Sequence, residues 1–415
     1  MSGRARLLML ITELQMGGAA KVVRELSIDL AKRYEVHEVV FNVADGVDFA
    51  GASPPHSLDV QGGGSILGKL TNLKERISRA RRLKRMLGID VSISHLEGAH
   101  WVDVLSRSRE KTVLCVHGTI LHNPNIGGAS GWLRRRVVMP LIYNRADRVV
   151  TVSRDLVSEL IALGVSAERI RTINNSFDGR VIADGIREPL SEDEEAVFGR
   201  GPVLVNVGRL DSPKNQQALL DVFAGLRRRR TLKLLILGDG KLREPLVAQA
   251  EALGLSVYRA WSDAPLTPEH DVYFLGIRSN PFKIVAQSDL FLMTSSAEGF
   301  PLALCEAMVC GVPVLSTDCR TGPREILAPE TATPATPIAS AEATRFGMLM
   351  PVLHEPSSAA AAQQVWTATI LGLLDDAPAR ARMSKAARKR MQDFSREKIA
   401  AQWVELIEEL TASPR

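Results

Sequence analysis

Short apolar runs recur along the chain, and stretches with helical periodicity follow most of them. Runs of this length, bounded by glycine or polar residues, are typical of buried strands. Their alternation with helices is typical of parallel sheets, so an α/β chain is predicted. The predicted strands lie at 7–12, 111–116, 203–207, 233–237, 272–277 and 289–293.

Two glutamates stand eight positions apart where the last of these strands meets a helix. Glu298 lies on the predicted loop, and Glu306 lies inside a helix predicted to begin after Pro301. Ligands of open α/β sheets bind at such strand-to-helix junctions, where a carboxylate can accept hydrogen bonds from sugar or ribose hydroxyls. Glutamates are also common on exposed helix faces, so the pair alone does not identify a site.

The segment 295–308 resembles the E-x7-E signature of retaining glycosyltransferases of family 4. The resemblance implies the GT-B fold, in which two Rossmann-like, doubly wound parallel-sheet domains face a central cleft. It also implies that Glu298 holds the donor sugar and that Glu306 binds the nucleotide ribose. The donor and nucleotide site would further include Gly299, Phe300, Pro301 and Leu302.

A second motif follows the strand at 203–207. Gly208, Arg209, Leu210 and Lys214 resemble the G-R-L-x-x-x-K element of the family, which implies that Arg209 and Lys214 hold the donor diphosphate. The chemistry agrees, because a guanidinium and an ammonium near a helix N-terminus stabilise the charge of a leaving diphosphate. By the same resemblance Ile277 lies against the nucleotide base, whereas 238–240 is interpreted as a structural turn.

The first half carries two weaker signals. Gly17 and Gly18 precede a helix predicted at 21–32, and such a loop lets backbone amides approach a phosphate. His117 follows the strand at 111–116; a lone histidine there is more often structural than catalytic. The resemblance implies instead that the glycines touch the donor phosphates and that His117 lines the active site.

A length of 415 residues with 45% hydrophobic content predicts two domains. The predicted boundaries are 1–180 for an acceptor-side Rossmann-like domain, 181–200 for a linker and 201–383 for the nucleotide-sugar domain. The resemblance implies that a C-terminal helix in 384–415 crosses back to the first domain. The Ala-, Thr- and Pro-rich stretch at 329–343 is predicted to be a surface loop.

No run approaches 18 apolar residues, and the first strand is too short for a signal peptide, so a cytoplasmic protein is expected. Four cysteines, at 115, 305, 310 and 319, lack zinc-ligand spacing and are interpreted as reduced thiols. No D-x-D motif is present either. We therefore expect no metal and no cofactor other than the nucleotide-sugar co-substrate.

Positive charge is concentrated in the first half. Residues 1–180 carry 26 Lys/Arg and 18 Asp/Glu, whereas 181–415 carry 26 and 29. Ile66–Leu87 reads as a basic amphipathic helix, which either contacts an anionic membrane or covers the sheet with a solvated charged face. The stretch 132–136 could add a second basic contact. Nucleic acid is disfavoured as a partner, because only 5% of the residues are aromatic and no binding motif accompanies the arginines.

The resemblance implies retaining transfer of a hexose or N-acetylhexosamine from a nucleotide sugar, with UDP favoured over GDP. The implied acceptor is a hydroxyl of a bacterial glycan, such as a polyprenyl-linked oligosaccharide or a lipopolysaccharide core, ahead of a soluble small molecule. Four alternatives remain open from the sequence: a GDP-mannose-dependent mannosyltransferase, a GT-B epimerase, a phosphorylase and a catalytically silent partner subunit.

Overall fold

The computed structural model describes residues 4–14, 17–43, 51–63, 65–121, 128–199, 201–353 and 359–412, with main chain only at 66 and 128–130. The described chain forms two compact units. The first comprises Met1–Phe177 with Arg396–Arg415, and the second comprises Asp178–Ser395. Each unit is built around its own largely parallel sheet, which confirms the predicted α/β class with two Rossmann-like domains.

The sheet of the first unit has seven strands, all parallel to their neighbours. They are β1 (Arg6–Ile11), β2 (Glu35–Val40), β3 (His56–Ser57), β4 (Val91–His95), β5 (Lys111–Val116), β6 (Arg148–Thr151) and β7 (Ile170–Thr172). Their order across the sheet is β3-β2-β1-β4-β5-β6-β7. The order therefore reverses between β1 and β4, and their carboxyl ends mark a switch point of the kind that binds ligands.

Helices cover this sheet because its central strands are apolar on both faces. They are α1 (Gly18–Leu30), α2 (Ile66–Leu87), α3 (Glu97–Leu105), α4 (Gly128–Leu133), α5 (Met139–Tyr143) and α6 (Asp155–Ala162). A π-helical turn, Arg134–Val138, joins α4 to α5. None of the helices in the described part of the chain is long and apolar enough to cross a bilayer.

The predicted basic helix is present with the predicted bounds, and much of it covers the sheet. The Ser65 side chain accepts a hydrogen bond from the Gly68 amide at its start, and Gly88 ends it in a left-handed conformation. Its apolar residues towards the core are Leu73, Ala80, Leu83 and Leu87.

Several cations of α2 serve the fold rather than the surface. Lys84 is fully buried, with Nζ 2.6 Å from Asp103 Oδ1 and 2.8 Å from Glu110 Oε1. Burial opposes the charged form of Glu110, yet the Lys84 ammonium holds the pKa of Glu110 below its ordinary value. Arg79 donates to the Leu58 carbonyl at 2.8 Å. The lysines and arginines of this helix therefore do not form one free basic face, as periodicity alone would suggest. They are Lys69, Lys74, Arg76, Arg79, Arg81, Arg82, Lys84 and Arg85.

The second unit has an eight-stranded sheet. Its strands are β8 (Val203–Val207), β9 (Lys233–Leu237), β10 (Val257–Arg259), β11 (Val272–Gly276), β12 (Leu290–Met293), β13 (Val314–Thr317), β14 (Glu342–Ala343) and β15 (Met348–Met350). They lie in the order β10-β11-β9-β8-β12-β13-β15-β14. Only the β14–β15 pairing is antiparallel among these described strands. The order reverses between β8 and β12, which gives this unit its own switch point.

The helices of the second unit are α7 (Gly179–Arg187), α8 (Glu192–Phe198), α9 (Gln216–Arg227), α10 (Arg243–Ala252), α11 (Phe282–Gln287), α12 (Leu302–Cys310), α13 (Pro323–Leu327), α14 (Ala359–Asp375) and α15 (Ala377–Met391). A last helix, α16 (Arg396–Ala412), belongs to the first unit. The predicted surface loop at 329–343 is largely exposed and irregular up to β14.

The predicted linker at 181–200 differs from the structure, which places α7 and α8 there as part of the second unit. The acidic run begins a helix because Ser191 and Glu194 form a capping box. Glu194 also pairs with Lys283 at 2.7 Å, which fastens α8 to α11. A polar composition was therefore a sign of a capped helix and not of a flexible connector.

The predicted boundary between 383 and 384 is also displaced. Residues 384–391 continue α15 in the second unit, and a 3-10 turn, Gln392–Phe394, separates them from α16. In the first unit α16 packs on α1, where Arg396 Nε lies 2.9 Å from Asp29 Oδ2. Phe394 is buried in that turn, and helical periodicity does not reveal the break between the two helices.

Candidate functional site

The loops after β8 and β12 meet at the switch point of the second unit. The Ser296 amide donates to the Pro213 carbonyl at 2.8 Å. The Thr294 hydroxyl lies 3.2 Å from the Lys214 carbonyl and 3.1 Å from the Asn215 carbonyl. These bonds join two segments about eighty residues apart, and they hold the predicted G-R-L-x-x-x-K and E-x7-E elements against each other.

Lys214 and Glu298 are in direct contact there. Lys214 Nζ lies 2.5 Å from Glu298 Oε1, and the Ser295 hydroxyl donates to the same oxygen at 2.7 Å. The Thr321 hydroxyl donates to the Glu298 carbonyl. Glu298 has a side chain only 9% exposed, so its carboxylate is held in a defined position beside a cation.

A strained residue sets the direction of the Lys214 segment. Asn215, which immediately precedes α9, has φ 53° and ψ 41°, in the left-handed region that L residues other than asparagine and aspartate seldom adopt. Such a conformation costs about 1 kcal/mol and persists where neighbouring contacts impose it. Here the Thr294 hydroxyl supplies such a contact, and the turn places Lys214 before the first turn of α9.

Two glycines allow the site loops to approach closely. Gly238 has φ +136°, and a Cβ on it would lie 2.0 Å from the Gly208 carbonyl oxygen. Gly322 has φ +92°, and its Cβ would lie 2.7 Å from the Gly299 carbonyl oxygen. The turn at 238–240 is therefore structural, as its sequence indicated. The need for glycine at position 322 was not recognised from the sequence.

Three other predicted residues lie after strands or in a helix of the same unit. Arg209 lies directly after β8, with a side chain 69% exposed and Nε 2.6 Å from Asp211 Oδ2. Ile277, at the carboxyl end of β11, is 57% exposed, as a side chain open to a ligand would be. Glu306 lies in the second turn of α12 and, with Val207 of β8, lines a cavity of about 10 Å³.

The segment 299–302 contributes differently from the simplest expectation. Phe300 is buried, and the centroid of its ring lies 5.0 Å from the centroid of the Phe394 ring in an edge-to-face arrangement. Its side chain therefore packs in the core. Pro301 is also buried and forms the N-cap of α12, which begins at Leu302 as predicted. Gly299 is buried beside Gly322. Phe300 and Gly299 can therefore reach a ligand only through main-chain atoms.

In the first unit, the carboxyl ends of β4 and β5 bring two histidines together. His95 Nδ1 lies 2.9 Å from His117 Nε2. Burial lowers the pKa of His117 to about 4 and lowers that of His95 well below its ordinary value, so both rings are neutral near neutral pH. His95 Nε2 is buried and has no partner among the described residues.

One proton lies between the two rings. Because both rings are neutral, either His95 Nδ1 or His117 Nε2 donates it to the other nitrogen, and the pair forms one buried hydrogen bond.

Cys115 lies beside this pair. One potential ligand atom from each of His95, Cys115 and His117 falls within 4.8 Å of the others, so the three side chains could hold a metal ion. Burial raises the pKa of the Cys115 thiol, and metal binding would have to overcome that effect. Sequence spacing missed the group because parallel pairing of His95 with Cys115 brings together residues twenty positions apart.

The glycine-rich segment begins α1 earlier than predicted. Gly17 precedes the helix in an extended conformation, and Gly18 is its first residue rather than part of the loop. The Lys21 amide donates to the Gly17 carbonyl at 3.1 Å, so the helix extends back through the alanines at 19 and 20. Both glycines are exposed at a helix N-terminus, where an anion is favoured.

Two family models match the chain, one for each half. Residues 16–179 match Glycosyltransferase Family 4, and residues 190–345 match Glycosyl transferases group 1. The chain belongs to glycosyltransferase family 4. The motifs at 208–214 and 298–306 both lie within the second of these matches. They touch in the fold through Lys214 and Glu298.

Similar proteins include named glycosyltransferases. The chain is 26% identical over 403 residues to N-acetylgalactosamine-N,N'-diacetylbacillosaminyl-diphospho-undecaprenol 4-alpha-N-acetylgalactosaminyltransferase of Campylobacter jejuni, covering 94% of this chain and 96% of that protein. It is 32% identical over 189 residues to lipopolysaccharide 1,6-galactosyltransferase of Salmonella typhimurium, covering 44% and 46%. These relatives support glycosyltransferase activity for this family 4 chain.

Solved structures agree on the fold. HepE from Anabaena in complex with UDP and glucose has a TM-score of 0.71 at 21% identity, covering 98% of this chain and all of that one. Sucrose-phosphate synthase from Thermosynechococcus elongatus has a TM-score of 0.74 at 18% identity, covering 99% and 100%. At these identities the similarity shows the fold alone, and the predicted GT-B class of family 4 is confirmed.

We expect the protein to become less stable in acid because of the buried histidines of the first unit. Burial lowers the pKa of His100 to about 3, so below about pH 6.5 the unfolded chain binds a proton there that the folded chain does not. Unfolding is therefore favoured as pH falls. The free energy of unfolding should therefore be about 2 kcal/mol lower at about pH 5 than at pH 7 because of this single histidine.

Urea unfolding of His100→Gln should consequently show a smaller loss of stability between about pH 7 and about pH 5 than the unaltered protein. His270→Gln, at a partly exposed histidine of the second unit, serves as the control. Equal pH dependence in the His100 variant and the unaltered protein would contradict this prediction.

Proposed function

We propose that the protein is a retaining glycosyltransferase that moves a hexose or N-acetylhexosamine from a nucleotide sugar, UDP-linked in preference to GDP-linked. The observation that carries the proposal is the Lys214–Glu298 pair, a cation and a carboxylate held side by side at the switch point. A donor presents a diphosphate next to a sugar, so the pair matches both parts of such a ligand.

The proposed acceptor is a hydroxyl of a lipid-linked oligosaccharide or a lipopolysaccharide glycan. Support comes from the curated relatives, of which one acts on a diphospho-undecaprenol-linked saccharide and one on lipopolysaccharide. HepE, with UDP and glucose bound in its structure, supports a UDP-linked donor. A soluble acceptor remains the second choice.

Donor binding would redistribute the contacts of the pair. The phosphates would take over the Lys214 ammonium, and the freed Glu298 oxygen would accept a hydrogen bond from a sugar hydroxyl while Ser295 keeps the carboxylate in place. Arg209, already exposed directly after β8, would add a second cation to the diphosphate. Glu306, in the second turn of α12, would accept from the ribose hydroxyls.

Retention follows from attack on the face from which the diphosphate departs. The bond between the anomeric carbon and the phosphate oxygen breaks, and its electron pair leaves with the diphosphate. The acceptor oxygen bonds to the anomeric carbon on the same face, and its proton passes to a diphosphate oxygen. Lys214 and Arg209 stabilise the charge that develops, so we propose that no divalent metal and no other cofactor is required.

Product analysis separates this proposal from the alternatives. An epimerase or a phosphorylase would not lengthen an acceptor, and a mannosyltransferase would respond to GDP-mannose. A catalytically silent subunit would need none of the polar groups at the switch point. Glu298 accepts a hydrogen bond from Ser295 and contacts Lys214, so its carboxylate is held in one position. Such positioning argues against a catalytically silent subunit, because it is a feature of functional sites.

Donor class can be tested by thermal shift and donor hydrolysis with a panel of UDP- and GDP-sugars in the presence of EDTA. We expect UDP-sugars to stabilise the protein and to be hydrolysed slowly, with Glu306→Ala abolishing the shift because the ribose contact is lost. Glu330→Ala, at an exposed glutamate outside α12, is the matched control. A response that appears only after magnesium or manganese is added would contradict metal independence.

Removal of the Lys214 ammonium should slow the reaction more than it weakens the fold. We expect Lys214→Ala to lose ~10²-fold or more in turnover, because the charge developing on the diphosphate is no longer stabilised. Lys385→Ala, at an exposed lysine of α15, should turn over normally. Near-normal turnover by a folded Lys214→Ala protein would refute the assignment.

We also propose that the protein contacts an anionic membrane. Within the helix Ile66–Leu87, only the first turns would make this contact. Leu67 is 74% exposed and Leu70 is 60% exposed, and Lys69 and Lys74 beside them are exposed cations. Apolar side chains that can enter the lipid and cations that can meet its headgroups are the usual elements of such a surface.

A second exposed group, in the stretch 132–136 and beyond, extends this surface. Trp132 and Leu133 are more than half exposed, and Arg136 follows them on the π-helical turn. The two groups lie on elements that meet in the fold, because Leu73 of α2 and Arg134 of the turn line one cavity. A lipid-linked acceptor would be met at such a surface.

Vesicle sedimentation tests this contact. Vesicles containing phosphatidylglycerol should bind the protein more tightly than vesicles of phosphatidylcholine alone, because the exposed cations attract anionic headgroups. Leu67→Ser combined with Leu70→Ser should weaken binding about tenfold or more, since two leucines no longer enter the lipid. Met86→Ser, at an exposed residue near the other end of α2, should bind normally. Equal binding of all variants would contradict the proposed surface.

A further inference from the structure

The first unit contains a cavity of about 280 Å³ that none of the predicted site residues explains. Phe41 follows the carboxyl end of β2, and Glu97 follows that of β4, so the cavity lies at the ligand-binding edge of the sheet. Helices α2 and α3 and the π-helical turn complete its walls. Its lining is Phe41, Leu73, Arg76, Glu97, Gly98, Trp101, Val102 and Arg134.

The polar groups of this cavity are fixed in position. Arg134 forms two hydrogen bonds with Glu97, each of 2.5 Å, in a fork-to-carboxylate arrangement. The Arg76 guanidinium lies 4.2 Å from the centroid of the Phe41 ring. Trp101 Nε1 is buried and has no hydrogen-bond partner among the described residues. Because no solvent reaches this atom, Trp101 contributes to the cavity through its ring and not through its N–H.

We propose that this cavity is a subsite for one pyranose ring of the acceptor glycan. The proposal rests on the glycosyltransferase function proposed above and names the acceptor side of the same reaction. The C–H face of a pyranose packs on aromatic rings, here those of Phe41 and Trp101. Its hydroxyls donate to the Glu97 carboxylate and accept from Arg134.

Other ligand classes fit these walls less well. A phosphate would meet the Glu97 carboxylate, and the charge of Arg134 is already neutralised by that carboxylate. A polyprenyl chain would desolvate the Glu97–Arg134 ion pair without offering it a hydrogen bond. A sugar ring satisfies the aromatic and the charged parts together, and a volume near 280 Å³ limits the occupant to about one ring.

Saturation-transfer NMR on the full chain tests the subsite without requiring turnover. The probes are the methyl α-glycosides of galactose, glucose, N-acetylgalactosamine and N-acetylglucosamine, with farnesyl phosphate and inorganic phosphate as competitors. We expect at least one glycoside to bind. Trp101→Leu should raise its Kd about fivefold to tenfold, because the aromatic ring on which the sugar packs is lost.

Leu73→Trp should abolish glycoside binding, since the larger side chain fills the cavity. Trp261→Leu, at a partly buried tryptophan of the second unit, is the matched control and should bind normally. Thermal unfolding of each variant confirms that it is folded. Unchanged binding in a folded Leu73→Trp protein, absence of binding by every glycoside, or displacement by farnesyl phosphate or phosphate would each overturn the subsite.

The two proposals fail in different ways. Donor hydrolysis by the unaltered protein is measured in parallel, and a protein that hydrolyses UDP-sugars but binds no glycoside would refute the subsite alone. A protein that binds glycosides but neither binds nor hydrolyses any nucleotide sugar would refute the proposed transferase while leaving a sugar site in this cavity.

Discussion

The candidate site depends on a constraint of parallel sheets: all carboxyl ends lie at one edge, and the loops that leave two adjacent strands separate only where the strand order reverses. In the second unit that place lies between β8 and β12, where Lys214 and Glu298 meet. A lysine and a glutamate so far apart in sequence become partners because neighbouring strands end side by side. The loops can approach each other because Asn215 and Gly322 adopt backbone conformations with positive φ.

Sequence reasoning predicted this part well because its signals are local. An apolar run marks a strand, and the residues just beyond it must lie at the ligand edge, so Arg209, Lys214 and Glu298 could be placed before any contact was known. The helical position of Glu306 follows from Pro301 at the helix start. What local pattern could not supply is the side-chain direction of Phe300, whose burial is decided by Phe394.

The first unit was predicted less completely for the same physical reason. His95, Cys115 and His117 become a group only through the parallel register of β4 and β5, and no spacing along the chain reports a register. Charge was also misleading at α2, because periodicity separates apolar from charged positions but cannot tell a solvated lysine from Lys84, whose charge is matched by two buried carboxylates. Likewise, the acidic run at Ser191 was a capped helix start.

The return of the chain to the first unit has a consequence for synthesis. Helix α16 covers α1 with Ile399, Trp403 and Leu406 buried, and Arg396 pairs with Asp29 of that helix. A ribosome makes α1 before the second unit and α16 after it, so the first unit stays incomplete while the whole second unit emerges. The face of α1 that α16 covers must wait until α16 has been made, and a chain terminated before Arg396 would release a first unit with that face uncovered.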